Sequence, residues 1–182
     1  MVFVLAKNEK VKVNLAYAYR LLYPRNVVLV TCVDKVGKAN IIPIAWVMPT
    51  SFNPPKIAIS VGLGRYSHKL IEETKEFVVN IPTADLLEKI KFCGSVSGKS
   101  LDKFKESGLT SQPAKKVKPP IIVECVAHLE CKVSHQTTTG DHTIFVGDVV
   151  EAYANKKIFD KILNLEKLKL VLHVGEDVFW TT

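Results

Sequence analysis

The stretch that decides the fold is NVVLVTCVDKVGKANIIPIAWVMP, residues 26–49. Its first eight residues, Asn26 to Val33, form a near-continuous β-branched run, the pattern of a strand covered on both faces. Asp34 to Lys38 place Asp and Gly where a turn needs them, and Ala39 to Pro49 resume as strand. Pro43 has no N–H to donate to a ladder, which puts this second run at an edge or a bulge.

Downstream, TSFNPP (50–55) reads as a second turn leading into KIAISVG (56–62). Three strands joined by tight turns predict an antiparallel meander. Upstream, AYAYRLLYP (16–24) reads as a helical or capping segment that Pro24 ends. Beyond Gly62 the period changes. SHKLIEETKEF (67–77) sets Leu70, Ile71, Thr74 and Phe77 on one helical face, with Ser67 as N-cap. EFVVNIP (76–82) is a short strand, and TADLLEKIKFCG (83–94) is a second helix with Leu86, Leu87 and Ile90 inward and Gly94 at its end. After a Gly/Ser loop, SLDKFKESG (100–108) predicts a third short helix, and SQPAKKVKPP (111–120) a linker or surface loop. CVAHLECKV (125–133) alternates with Cys125, Ala127, Leu129, Cys131 and Val133 on one face, and the TTTGD turn pairs it with HTIFVGDVVEAY (142–153). The sum is a strand-rich, barrel-like sheet with a helical insertion.

The 182 residues carry 47% apolar and 24% charged side chains and a net charge of +7, the balance of an ordinary folded domain. No apolar run approaches the roughly 18–20 residues that span a bilayer. The N-terminal MVFVLAKNEK has its charges after its apolar residues, the reverse of a secretory signal; the expectation is a cytoplasmic protein with no membrane partner. Cys32, Cys93, Cys125 and Cys131 contain no CxxC pair and read as reduced core residues. His128 falls on the strand face opposite Cys125 and Cys131, so no metal site is expected. The basic charge raises nucleic acid as a partner, but the interleaved aromatics of such a surface are missing and no nucleic-acid role is expected.

Two features carry chemistry. GLGRYS (62–67) is similar in outline to the G-x-G-x-x-G dinucleotide fingerprint, yet Ser replaces the last glycine and the preceding strands are no βαβ unit. What survives is a helix start, where free N–H groups and the dipole attract an anion and Arg65, Ser67 and Lys69 can add donors. The segment alone fits equally a capping serine among solvated basic residues. Trp46, at the end of an edge-like strand, is either a half-buried core residue or a flat wall for a planar ligand ring.

With YPRNVVLVTCV, GRYSHKLIEETKEFVVNIP, CGSVSGKSLDKF and GDHTIFVGDVVEAY in that order, the chain resembles the flavin reductase-like family of FMN-binding split barrels, over roughly residues 15–155. The resemblance implies a mainly β fold with helices: an antiparallel, Greek-key-like split β-barrel with a helical insertion. It also implies one domain over 1–182, with a core of about 15–155 and a C-terminal extension over 156–182. It implies a homodimer with FMN near the interface. Asn40, Trp46 and the backbone of Val47, Met48, Pro49, Thr50 and Ser51 would approach the flavin ring. Ser67, with Arg65, Tyr66, His68 or Lys69 beside it, would hold the phosphate, and Lys103 would add charge to the phosphate or ribityl end. His142 would stand near the isoalloxazine, where NAD(P)H approaches. The implied activity is electron transfer from NAD(P)H through FMN to free flavin, ferric complexes or a redox protein; an electron carrier that does not itself oxidise NAD(P)H is the alternative.

Overall fold

The computed structural model describes residues 10–182. A 3₁₀ helix over Leu15–Leu22 comes first, its start capped by the Asn14 side chain, which accepts from the Ala16 amide at 3.0 Å. The strands that follow are Arg25–Asn26 (β1), Val28–Val33 (β2), Ala39–Ile44 (β3), Val47–Phe52 (β4), Pro55–Gly62 (β5) and Glu76–Ile81 (β6). Later come Ser111–Gln112 (β7), Ile121–Ile122 (β8), Ala127–Thr139 (β9), His142–Ala154 (β10), Val171–Gly175 (β11) and Val178–Thr181 (β12). Three α-helices are inserted, Tyr66–Thr74 (α1), Leu87–Ser95 (α2) and Lys103–Ser107 (α3).

Seven strands form one sheet in the order β3-β2-β6-β9-β10-β5-β4, with every pairing antiparallel. The two outermost strands are consecutive in the chain. Only Ala45 and Trp46 separate Ile44 from Val47, a span of roughly 10 Å at full extension, so the sheet must roll until its edges meet. The linker is itself held to the β4 side: the Ser60 amide of β5 donates to the Trp46 carbonyl at 2.9 Å, continuing the β4–β5 ladder by one residue. The result is a mainly β split barrel.

The predicted meander needs correction here. ANIIPIAWVMP is not one strand but two, and the hairpins β2–β3 and β4–β5 lie at opposite ends of the sheet. From Ile41 to Pro49 the run is apolar, and it has no turn residue at its break. Pro43 does fall on an edge strand, opposite Leu29, as its missing donor requires.

Strand β2 is buried at every position because each face has its own cover. Inside the barrel Val28, Val30 and Cys32 pack with Leu70 and Ile71 of α1, Phe77 and Phe145. On the other face Val27, Leu29 and Ile41 meet Ile90 and Cys93 of α2, Phe104 of α3 and Val171 of β11. Full burial of an aliphatic side chain such as Leu70 stabilises by roughly 1.5–3 kcal/mol, so the helical insertion is held to the sheet by its apolar stripe.

The long connection through β7 and β8 is pinned by buried polar groups. Glu130, 0% exposed, accepts from the amides of Lys115 at 2.8 Å and Lys116 at 2.6 Å and from Tyr153 Oη at 3.0 Å. Asn80 Oδ1 accepts from the Ile122 amide at 3.0 Å and from His128 Nδ1 at 2.8 Å. Residues 156–182, read as an extension, join the rest through β11, which pairs with β1. Among the described residues no helix is long and apolar enough to cross a membrane, and no group of three or more His, Cys, Asp or Glu gathers as metal ligands.

Candidate functional site

The site begins where the edge strand β3 meets the first turn of α1. Gly62 and Gly64 bring the chain out of β5, and α1 starts at Tyr66 with Arg65 as its N-cap. Ser67 is therefore not the cap the sequence predicts, and Arg65 makes no side-chain capping bond either. The first amides of α1 have no intrahelical acceptors. Ser67 instead turns inward, where its Oγ accepts from Asn40 Nδ2 at 2.7 Å. Asn40 is 2% exposed, and its Oδ1 has no hydrogen-bond partner among the described residues. An unsatisfied buried amide oxygen costs roughly 1–3 kcal/mol, so this atom is set to receive a donor.

Around these residues opens a cleft of about 940 Å³, walled by β3, the start of α1, α2 with the loop after it, Lys103, and the tip of the β11–β12 hairpin. Lys103 is only 5% exposed. Its Nζ donates to the carbonyls of Ile41 at 2.9 Å and Cys93 at 2.6 Å, and no carboxylate among the described residues pairs with it. Burial is the main reason its pKa falls below the usual lysine value, and the charge of Arg65 pushes the same way. Two cations thus share one end of the cleft without an anion. The thiols nearby offer none: burial pushes Cys32 up to about 12 and raises Cys93 as well.

Of the residues singled out in the sequence, Asn40, Arg65, Tyr66, Ser67 and Lys103 line this cleft together. His68 is buried away from it, with Nε2 2.8 Å from Thr143 Oγ1 and its ring against Phe145. Lys69 lines a separate shallow hollow with Asp34, Lys35 and Tyr66, and lies 3.9 Å from Glu73. Trp46 and His142 form a second group beside the cleft, their rings 4.8 Å apart. Trp46 Nε1 donates to Tyr23 Oη at 2.9 Å, and Asp141 Oδ1 lies 2.7 Å from His142 Nδ1. Gly62 separates the two groups: a Cβ there would lie 3.5 Å from His142 Nε2 and 3.7 Å from Arg65 Cγ. Val47 to Ser51 run along β4, an edge strand whose outer amides have no ladder partner.

The sequence reading missed two walls. Ser95 ends α2 on the cleft, Val96, Ser97 and Gly98 continue its lining, and Gly98 approaches Asn40 so closely that a Cβ would fall 1.9 Å from Oδ1. The other wall is the β11–β12 tip, with His173, Glu176, Asp177 and Phe179. Gly-Glu-Asp between two short apolar runs was its available signal.

Rolled sheet and cleft together define a split barrel of the flavin reductase type. A family model described as "Flavin reductase like domain" matches residues 19–172, and the chain belongs to that family. It is 43% identical over 161 residues to an uncharacterized protein of Archaeoglobus fulgidus, covering 88% of this chain and 89% of that one. A flavin reductase of Pseudomonas putida is 31% identical over 129 residues, 71% of this chain and 72% of that protein. Among solved structures, flavoredoxin from Methanosarcina acetivorans superposes with a TM-score of 0.83 at 30% identity, covering 96% of this chain and 92% of the flavoredoxin.

Proposed function

We propose that the cleft binds FMN and that the protein is a cytoplasmic oxidoreductase passing electrons from NAD(P)H to free flavin, ferric complexes or a protein acceptor. The observation that carries this reading is the pair Arg65 and Lys103, which share the cleft beside the open start of α1 with no carboxylate within ion-pair distance among the described residues. A phosphate supplies the missing charge and accepts from helix-start amides. The residues present therefore fit a mononucleotide, and similarity to a flavin reductase and a flavoredoxin supports flavin as its base.

The isoalloxazine, when bound, supplies the hydride and electron chemistry. The chain's own residues hold and polarise it. Ser67, Arg65 and Lys103 take the phosphate or ribityl end, and Asn40 Oδ1 accepts a donor from the ligand. The Trp46 ring offers an apolar wall, and the outer amides of β4 offer donors to the polar edge of the ring, favouring negative charge there. With Nδ1 engaged by Asp141, His142 keeps Nε2 toward the Gly62 side of the cleft.

Homodimerisation belongs to the same proposal. It is supported by bulky apolar residues left in water, among them Leu15, Leu21, Leu22, Trp180 and Phe52, the last 98% exposed.

Likeness to the Methanosarcina flavoredoxin favours a second reading, an electron carrier that does not itself oxidise NAD(P)H. Anaerobic stopped-flow mixing with NADH and with NADPH separates the two. Rapid bleaching of the flavin supports the reductase, and failure of both nucleotides to bleach it leaves the carrier. Mass analysis of the flavin released on denaturation tests FMN itself.

A further inference from the structure

The cleft is electrically lopsided. Its lining includes Arg65 and Lys103 from the start of α1 and of α3, and Glu176 and Asp177 from a separate element, the β11–β12 tip. The other charged residues on the lining, Glu88 and Lys91, are ion-paired with each other at 3.0 Å. Glu176 is paired with Arg20 at 3.0 Å. Asp177 alone among the cleft carboxylates has no cation partner within the described residues.

The same wall is aromatic and held in place. The rings of His173 and Phe179 lie 5.1 Å apart on the cleft, and Tyr23 stands edge-on to His173 at 5.2 Å. Contact of 2.8 Å between His173 Nε2 and the Glu176 carbonyl makes the ring nitrogen the donor, because a carbonyl only accepts. That bond closes the tight turn, where Gly175 has φ 144° and Glu176 φ 51°. A rigid aromatic pair beside an unneutralised carboxylate suits a nucleoside: the rings stack on a base, and the carboxylate accepts from ribose hydroxyls.

We infer that the β11–β12 tip selects the reducing nucleotide, admitting the dinucleotide whose adenosine ribose hydroxyls are free, NADH, and rejecting the 2′-phosphorylated NADPH. This rests on the flavin reading, since phosphate or ribityl groups of FMN take the basic end and leave the acidic wall to the second nucleotide. A 2′-phosphate would bring up to two negative charges beside Asp177, where the one cation in contact with the wall among the described residues, Arg20, is already paired with Glu176 at 3.0 Å. The buried, unpartnered Asn40 Oδ1 lines the same cleft and offers a bound molecule an acceptor.

The test uses the full chain loaded with FMN and calorimetric titration with two non-reducing probes, adenosine 5′-phosphate and adenosine 2′,5′-bisphosphate. The wild type should bind the first about tenfold more tightly, and Asp177→Lys should abolish or reverse that preference. Stopped-flow reduction by NADH and NADPH should shift in the same direction. Equal affinity of the wild type for both probes, or a preference unchanged in Asp177→Lys, overturns the inference. Failure of the wild type to bind FMN at all overturns the flavin reading and this inference with it, whereas FMN binding with equal probe affinities overturns the inference alone.

Discussion

Asn40 Nδ2 donates to Ser67 Oγ at 2.7 Å, tying the edge strand β3 to the first turn of α1 inside the cleft. The bond fixes the serine hydroxyl hydrogen as the one free to point at a ligand, because its oxygen is already accepting.

Removing that hydroxyl together with the exposed cation that shares the cleft, Arg65, should therefore separate phosphate from ring recognition. Ser67→Ala combined with Arg65→Ala should weaken FMN by tenfold or more, since hydrogen bonds to charged groups contribute about 1.5–3 kcal/mol. Riboflavin, which has no phosphate, should lose much less. Fluorescence titration with both flavins checks this, and equal losses would move the phosphate elsewhere.

Lys103 supplies a pH signature. Its cation is penalised mainly by burial, so it loses its proton at lower pH than an ordinary lysine. An anion held by that cation should be released as pH rises through the lowered pKa. FMN affinity should fall as pH rises through that lowered value, and Lys103→Met should bind roughly tenfold more weakly at neutral pH with a flatter profile above it. An unchanged profile in the variant would assign the titration to another group.

Much of this was legible in the sequence because it is local. DKVGK marks the β2–β3 hairpin, TTTGD the β9–β10 hairpin, and the switch from strand to helical period at Gly62 marks α1. The break at Ala45–Trp46 was not legible, because an apolar run with no turn residue looks like one strand until the sheet has to close. Ser67 satisfies the local rule for an N-cap, but a partner 27 residues away, Asn40, takes its oxygen. The cleft's far wall depends on β11 pairing with β1 across most of the chain, and no local pattern at 173–179 says what it will face.

His128 makes stability depend on pH through the opposite face of the sheet. It is buried beside Asn80 of β6, the ring of Tyr153 on β10 at 5.2 Å, and Glu130 on its own strand. Burial lowers its pKa, and the Glu130 charge only partly opposes this. Between the lowered folded value and the ordinary one, the unfolded chain binds more protons, so stability rises with pH and falls as pH drops through that window. His128→Gln keeps an N–H donor without the titration, and its urea midpoint should vary less with pH between the lowered value and about 6.5. Parallel curves for wild type and variant would place the dependence elsewhere.

Two glycine substitutions should fail in different ways. At Gly147 a Cβ would lie 2.8 Å from both Cys131 Cβ and Phe77 Cζ, atoms of the barrel core that have no room to retreat. Gly147→Ala should therefore lower stability by about 1–3 kcal/mol, the usual range for overpacking. At Gly98 the new methyl would meet only the end of the Asn40 side chain, at 1.9 Å from Oδ1 and 2.6 Å from Cγ. Asn40 can swing away, but doing so breaks its bond to Ser67 and displaces the buried, unpartnered Oδ1 that lines the cleft. Gly98→Ala should thus keep a urea midpoint closer to wild type than Gly147→Ala while losing more flavin affinity. Denaturation and FMN titration on both variants check the crossing of effects. If Gly98→Ala binds FMN as the wild type does, the Asn40–Ser67 pair is a structural tie between β3 and α1 and no part of the ligand site.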